Sequence, residues 1–184
     1  MSIKEILKNA ALLLGRDNVI DYCNGVTVND DTLRTVNNMT GLINLVLSEL
    51  ACTYIPMVKR ETVSASNGKI YYKDLTENAL KILGVYNTSG GEVHFKQNAQ
   101  YLTVNANSVV VEYEYSPSNY GFDDEIGYQE KDVPARVLAY GLCAEFSISE
   151  GRFDQAVMWH KRYVDALSEI CVPKNSHVKE RRWA

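Results

Sequence analysis

The sequence predicts an α+β fold, in which a helical bundle carries an inserted antiparallel β-sheet or small sandwich. Near both ends of the chain, apolar residues recur every three to four positions, which is typical of amphipathic helices. Between residues 57 and 117 they recur closer to every second position, as in strands with one buried face. The β segments are short and separated by turn residues, which favours antiparallel pairing over β–α–β crossovers.

The length and charge of the chain limit what it can be. Its 184 residues are enough for about one domain, and its 46% hydrophobic and 23% charged residues are close to the usage of globular proteins. Nineteen Lys and Arg against 23 Asp and Glu give a net charge of −4. This argues against a protein that wraps nucleic acid, because that affinity comes from neutralised phosphates. We expect one domain over residues 1–172 and an extended tail over residues 173–184.

Two helices are predicted before the β insertion. The first spans residues 3–14, where Ser2 and Glu5 have the spacing of a capping box. Residues 16–30 are polar and are predicted to form a loop. The second helix, over residues 32–54, has an apolar stripe and ends before a proline, because the residue that precedes a proline disfavours helix.

The β insertion begins with a predicted hairpin. Residues 57–64 alternate as a strand, Asn67-Gly68 is a hairpin turn signal, and residues 69–75 return as the partner strand. Further short strands are predicted over residues 82–87, 92–96, 101–104 and 109–115. In the last of these strands one face is apolar and the other, with Glu112 and Glu114, is mostly wet.

Two further helices are predicted after the insertion, over residues 133–149 and 153–171. A loop over residues 117–131 leads to the first of them. Only a few residues join the two helices, so we expect them to pack as an antiparallel pair. Small residues, among them Gly141, keep parts of the first helix narrow and permit close packing.

The cysteines and the apolar runs bear on the compartment in which the protein is made. The four cysteines have no zinc-motif spacing, and Cys52, Cys143 and Cys171 lie in apolar helical patterns that predict small core residues. No apolar run is long enough for a signal peptide or a membrane span. We therefore expect a protein that is made in a reducing cytosol and has no membrane partner.

No motif for catalysis or nucleotide binding is found in the sequence, since GxGxxG, GxxxxGKS/T, HExxH and GxSxG are all missing. We predict no enzyme activity, no cofactor and no metal site. The run Asp123-Asp124-Glu125 could bind a hard cation through its carboxylates, or it could be a solvated loop that repels DNA phosphates. Glu112 and Glu114 could imitate a catalytic carboxylate pair, but they are more simply the wet face of a strand.

Tyrosine is common in this chain, with 12 Tyr against four Phe and two Trp. Several of the tyrosines, including Tyr120 and Tyr128, lie in the β insertion or in the loop that follows it. Tyrosine suits interaction surfaces because it combines a large apolar face with a polar tip. The alternative explanation is ordinary strand propensity.

The C-terminal tail is basic and ends close to an aromatic residue. It follows a predicted helix end and is too short to fold alone. It is either a disordered end or an arm that becomes ordered on a partner, with Trp183 as the anchor and two arginines facing carboxylates. The tail residues predicted to take part are Lys174, His177, Lys179, Arg181, Arg182 and Trp183.

Three parts of the chain together match the layout of a known family. They are two N-terminal helices, a β-rich stretch that closes on the strand at residues 109–117, and a helix pair from Val133 to Ile170. Within the pair, the matching segments are residues 139–146, 151–153 and 159–163. On these grounds the chain resembles the head–tail connector proteins of tailed bacteriophages, also called adaptor or head-completion proteins.

The resemblance implies a structural virion protein in the neck, between the head and the tail. Such subunits form a cyclic ring, commonly twelvefold, that docks beneath the portal and continues the channel for double-stranded DNA in genome packaging and ejection. The ring is assembled in the host cytoplasm. The tail over residues 173–184 would reach the portal, and a tail protein or the next neck protein would bind below. The acidic charge fits a channel through which DNA slides without sequence-specific contacts.

The same resemblance implies that acidic and tyrosine side chains line the channel or the surface between subunits. The candidates are Glu112, Glu114, Tyr120, Asp123, Asp124, Glu125 and Tyr128. Two alternatives stay open. The chain could be a tail-side ring or tail-completion protein of similar build, or it could be a soluble tyrosine-rich β module that binds a small ligand or a carbohydrate.

Overall fold

A computed structural model describes residues 1–171, and within them the chain has five helices and two small antiparallel sheets. The predicted α+β class is confirmed, and in chain order the strands lie between the N-terminal and the C-terminal helices. The helices are α1 (Ile3–Leu14), α2 (Asp17–Cys23), α3 (Asp30–Glu49), α4 (Ala135–Ser149) and α5 (Phe153–Cys171). The strands are β1 (Met57–Ser64), β2 (Lys69–Tyr71), β3 (Asn78–Tyr86), β4 (Phe95–Gln97), β5 (Tyr101–Val104) and β6 (Ser108–Ser116). The predicted tail lies outside the described residues.

The helix starts follow from side chains that accept hydrogen bonds from free backbone N–H groups. Ser2 Oγ accepts from the Glu5 N–H at 3.2 Å, and α1 occupies the predicted span. Asn29 Oδ1 accepts from the Thr32 N–H at 2.9 Å and starts α3 at Asp30, two residues before the predicted start. The carboxylate of Glu130 accepts the Ala135 N–H at 3.0 Å and holds the first turn of α4.

The N-terminal half differs from the prediction in one element and in the type of one helical turn. Residues 16–30 were expected to form a loop, but α2 lies within them, because Val19 and Cys23 are one helical turn apart and both are buried in the core. The second predicted helix ends at residue 54 as expected, but its α-helical part is shorter. That part ends at Glu49 and continues as a π-helical turn, Leu50–Tyr54, which the Ile55 N–H closes on the carbonyl of Leu50 at 2.8 Å.

Helix α4 lies at the centre of the helical part and packs against α1, α3 and α5. Most of its side chains are buried, and the buried Cys143 confirms the prediction for that residue. A Cβ atom on Gly141 would lie 2.7 Å from Val46 Cγ1 and 3.2 Å from Tyr163 Cε2, so the three helices approach closely because this residue has no side chain. Cys52 and Cys171 are exposed, and their predicted place in the core is wrong.

The strands form two three-stranded sheets, in the orders β1-β6-β3 and β2-β5-β4. A second apolar core lies between them. The first sheet contributes Val85, Val109, Val111 and Tyr113 to it, and the second contributes Ile70, Leu102 and Val104. Tyr115, near the end of β6, packs against both this core and the helical core.

The predicted hairpin between residues 57–64 and 69–75 is wrong in its strand pairing. The turn itself forms, with positive φ at Asn67 and Gly68 and two hydrogen bonds exchanged by Ser66 and Lys69. The two strands then part, because β1 pairs with β6 and β2 pairs with β5. The turn is therefore a corner where the chain passes from one sheet to the other and brings Ile70 into the core between them.

The described helices were also compared with the length and hydropathy that a membrane span needs. Over residues 1–171, none of them is both long and apolar enough to cross a membrane.

We expect Gly141→Ala to destabilise the fold by about 1–3 kcal/mol, because the added methyl group has to displace Val46 and Tyr163 in a packed core. Gly41→Ala in α3 is the matched control, since a Cβ there meets nothing within 4 Å. The control should be neutral or stabilising by up to about 1 kcal/mol, from helix propensity alone. Urea unfolding followed by circular dichroism measures both variants. Equal effects of the two substitutions would contradict the close approach at α4.

Candidate functional site

The wet face of the β1-β6-β3 sheet carries charged side chains that are already paired. The carboxylate of Glu112 forms an ion pair with the Arg60 guanidinium, in which Arg60 Nη2 donates a hydrogen bond of 2.9 Å, and it also accepts a hydrogen bond of 3.1 Å from the Tyr86 hydroxyl. Those hydrogen bonds, the one from Arg60 above all, hold the pKa of Glu112 below its ordinary value. Glu114 lies 3.9 Å from Lys81 Nζ. Glu112 and Glu114 are thus members of cross-strand ion pairs, and each has a cation beside it.

The acidic loop, residues Asp123–Glu125, is held by its backbone against the start of α1. The Ile3 N–H donates to the carbonyl of Asp124 at 3.0 Å, and the Ile126 N–H donates to the carbonyl of Met1 at 2.9 Å. The Asp124 carboxylate accepts the Gly121 N–H at 2.7 Å. All three acidic residues are exposed. The loop therefore presents carboxylates to solvent from a backbone that is fixed on both sides.

The carboxylates of the acidic loop form no ion pair within the part of the chain that the structure describes. Lys4 lies close by, with its Nζ 6.0 Å from the centre of the Phe122 ring. Over residues 1–171, no group of three or more His, Cys, Asp or Glu side chains is arranged to hold a metal ion.

Tyr120 and Tyr128 make hydrogen bonds and core contacts that hold the fold of the single chain together. Asn44 clamps Tyr120 by accepting its backbone N–H at 2.8 Å and donating to its carbonyl at 2.9 Å. Tyr128 is buried and donates its hydroxyl to the carbonyl of Ile55 at 2.7 Å. Burial raises the pKa of both hydroxyls. Tyr128 thus lies in the core rather than at a surface, and Tyr120 is half-buried beside it.

The predicted docking residues of the tail lie outside the described residues. These are Lys174, His177, Lys179, Arg181, Arg182 and Trp183. Their role in docking stays a prediction.

Sequence reasoning missed a stack of cationic and aromatic side chains across α4 and α5, which we call the arginine–aromatic ladder. The Arg136 guanidinium lies 5.7 Å from the centre of the Tyr140 ring. Tyr140 stacks on Trp159, with ring centres 5.9 Å apart and an angle of 21° between the planes. The Arg162 guanidinium lies 4.9 Å from the Trp159 ring. The spacing of four residues in α4 and three in α5 puts each arginine beside its aromatic, and this pattern could have been noticed in the sequence.

Helix α5 carries apolar side chains on two faces. Its inner face buries Ala156, Trp159, Tyr163 and Leu167. Away from that face, Phe153 is 66% exposed, Val157 is 69% exposed and Met158 is 43% exposed. Phe153 and Val157 are one helical turn apart and are therefore neighbours on the helix surface. The apolar residues of this helix are thus divided between the core and an uncovered surface, which we call the outer face of α5.

A polar cluster closes one end of the β core. The carboxylate of Glu61 accepts hydrogen bonds from the Tyr113 hydroxyl at 2.6 Å and from the Thr76 N–H at 2.9 Å, and also from the Thr76 hydroxyl. Burial tends to raise the pKa of Glu61, but these hydrogen bonds and the charge of Lys59 outweigh it and hold the pKa below its ordinary value. The cluster fixes the segment that enters β3 against β1.

We expect Glu61→Gln to lower the stability at neutral pH by about 1 kcal/mol, because it weakens charge-assisted hydrogen bonds. A carboxyl whose pKa is depressed by folding stabilises the fold above its unfolded pKa, and loses that effect as the pH falls through its folded pKa. The difference in Tm between wild type and Glu61→Gln should therefore shrink as the pH falls below the ordinary value of 4.5. Glu125→Gln, in the exposed loop, serves as the control. A difference that stays constant down to acid pH would contradict the role of the Glu61 charge.

The comparisons with known protein families and with curated proteins found no relative of this chain. No protein-family model matches the chain, and no curated protein matches it in sequence. The surfaces described above, together with the layout of the sequence, are therefore the grounds on which a function is proposed.

Proposed function

We propose that this chain is a structural subunit of the ring that connects the portal of a tailed-phage capsid to the tail and continues the DNA channel. The layout of the sequence supports this proposal, since the strand that resembles the connector family is β6 and the matching helix pair is α4 and α5. We further propose that the helices form the bundle of such an adaptor, with the β part inserted and the tail extended from the end of α5.

The observation that carries the proposal is the outer face of α5. Phe153, Val157 and Met158 are large apolar side chains with 43% to 69% of their surface exposed, and they belong to a helix that packs mainly on α4. Neighbouring exposed apolar side chains of this kind mark surfaces that associate with other proteins. In a ring of identical subunits, a face of this kind is covered by the next copy.

The charge of the chain supports a role in which the protein surrounds DNA without binding it. A net charge of −4 gives no attraction for phosphates, so DNA can pass a ring of such subunits without being held. Glu112 and Glu114 are neutralised by their neighbours, whereas the carboxylates of Asp123, Asp124 and Glu125 are exposed. Of the acidic candidates, the loop is therefore the better one for contact with another molecule.

We expect Val157→Asp to prevent ring assembly without lowering the Tm, because it places a charge in the proposed contact at a position that is solvent-exposed in the single chain. Mass photometry of the full chain, alone and mixed with the portal protein from the same phage, measures assembly. Leu12→Asp is the matched control, since Leu12 of α1 is also exposed and apolar, and it should assemble normally.

Two results of this experiment would count against the account. If wild type stays a monomer alone and also with the portal, the proposed function is wrong. If Val157→Asp and Leu12→Asp disperse the ring equally, α5 has no special part in the contact.

Deletion of residues 174–184 should abolish attachment to the portal and leave the Tm unchanged, because every described helix and strand ends before residue 172. Co-sedimentation with portal assemblies measures attachment, and thermal unfolding checks the fold. A truncated chain that still binds the portal as wild type does would show that the tail is not the docking element.

A further inference from the structure

Arg136 and Arg162 differ from the other arginines of the described chain in having no carboxylate partner. Over residues 1–171 there are six arginines, and the four outside the ladder each form an ion pair. The four pairs are Arg16–Glu150, Arg34–Asp31, Arg60–Glu112 and Arg152–Glu150. Arg136 and Arg162 are therefore the arginines of residues 1–171 that form no ion pair within this part of the chain.

The ladder holds these two charges in defined positions. Trp159 is buried in its place between the helices, and Tyr140 stacks on it, so both rings are fixed by packing. A guanidinium that stacks on an aromatic face keeps its N–H donors at its edges, where they can bind a carboxylate in the plane of the group. Both arginines are exposed. The ladder is thus prepared to accept carboxylates that come from outside the chain.

The acidic loop carries negative charges, opposite in sign to those of the two ladder arginines. Asp123, Asp124 and Glu125 are exposed and form no ion pair within the described residues, and the backbone beneath them is tied to Met1 and Ile3. Within residues 1–171, Arg136 and Arg162 are thus cations without an ion pair on α4 and α5. The acidic loop is a run of anions without an ion pair in the segment between β6 and α4.

We propose that the arginine–aromatic ladder of one copy binds the acidic loop of the next copy. This inference rests on the proposed function, since it needs a ring of identical subunits. The two patches are different surfaces of one chain, so their contact is head-to-tail, which is the kind of contact that closes a ring. Charge complementarity identifies the partner, because the loop supplies the carboxylates that both arginines lack. It also fixes which side of each subunit meets its neighbour.

A charge-exchange experiment tests the pairing. Variant 1 carries Arg136→Glu and Arg162→Glu, and variant 2 carries Asp123→Lys and Glu125→Lys, with Asp124 kept because it holds the Gly121 N–H. Alone, each variant should require at least about a tenfold higher concentration to assemble, because like charges then meet in the contact. An equal mixture should assemble as wild type does, since native pairs and exchanged Glu–Lys pairs then alternate around the ring.

The controls separate this inference from the proposed function. Arg34→Glu with Lys96→Glu makes the same change of net charge as variant 1, on exposed side chains elsewhere, and should assemble normally. Circular dichroism should show that all variants are folded. If wild type assembles and variant 1 or variant 2 alone assembles equally well, the pairing is wrong while the ring stands. A mixture that fails to recover assembly also overturns it.

Phosphates of the passing DNA are the competing ligand for the two arginines. A gel-shift assay with a short double-stranded DNA compares wild type with variant 1. The proposal expects no difference between them. Loss of DNA binding by variant 1, with ring assembly intact, would assign the ladder to the nucleic acid and overturn the contact between subunits.

Discussion

The close packing of three helices around α4 is the constraint on which the other features depend. Gly141 lets Val46 of α3 and Tyr163 of α5 approach the backbone of α4, and no side chain fits there. This approach sets the position of α5, because α5 packs mainly on α4. The arginine–aromatic ladder and the outer face of α5 are both consequences of that position. The geometry of a ring contact on this surface would thus depend on how the three helices pack in the core.

A second constraint joins the helical part to the β part through backbone hydrogen bonds. The segment after β6 runs back along the helices, where Asn44 holds Tyr120 and the start of α1 holds Asp124. Phe122 packs on Tyr22 of α2 with ring centres 5.0 Å apart. The acidic loop is therefore part of the join between the two cores. This explains how exposed carboxylates can be held in place without any ion pair in the described chain.

Helices with strong apolar periodicity and local caps were predictable from the sequence, and α1 keeps its predicted span because Ser2 and Gly15 act within one turn of its ends. The short helix α2 was not predictable from the sequence, because its two buried residues, Val19 and Cys23, make too weak a pattern among polar neighbours. The turn at Asn67-Gly68 was found, but its strands pair elsewhere because the inner faces of two sheets have to meet. Pairing between distant strands depends on packing that local patterns do not report. For the same reason the acidic loop was recognisable, and so were the two arginine–aromatic pairs within α4 and α5, but the stack of Tyr140 on Trp159 that joins the two pairs was not.

We propose that this chain associates with copies of itself around a channel, through the side of the molecule that α5 forms. A cryo-electron microscopy reconstruction of the purified chain bound to its portal tests this most directly. The account predicts a closed ring in which α5 of each subunit contacts the neighbouring copy and the axial opening is wide enough for a DNA duplex. A particle in which α5 faces solvent in every subunit, or in which no ring is formed, would contradict it.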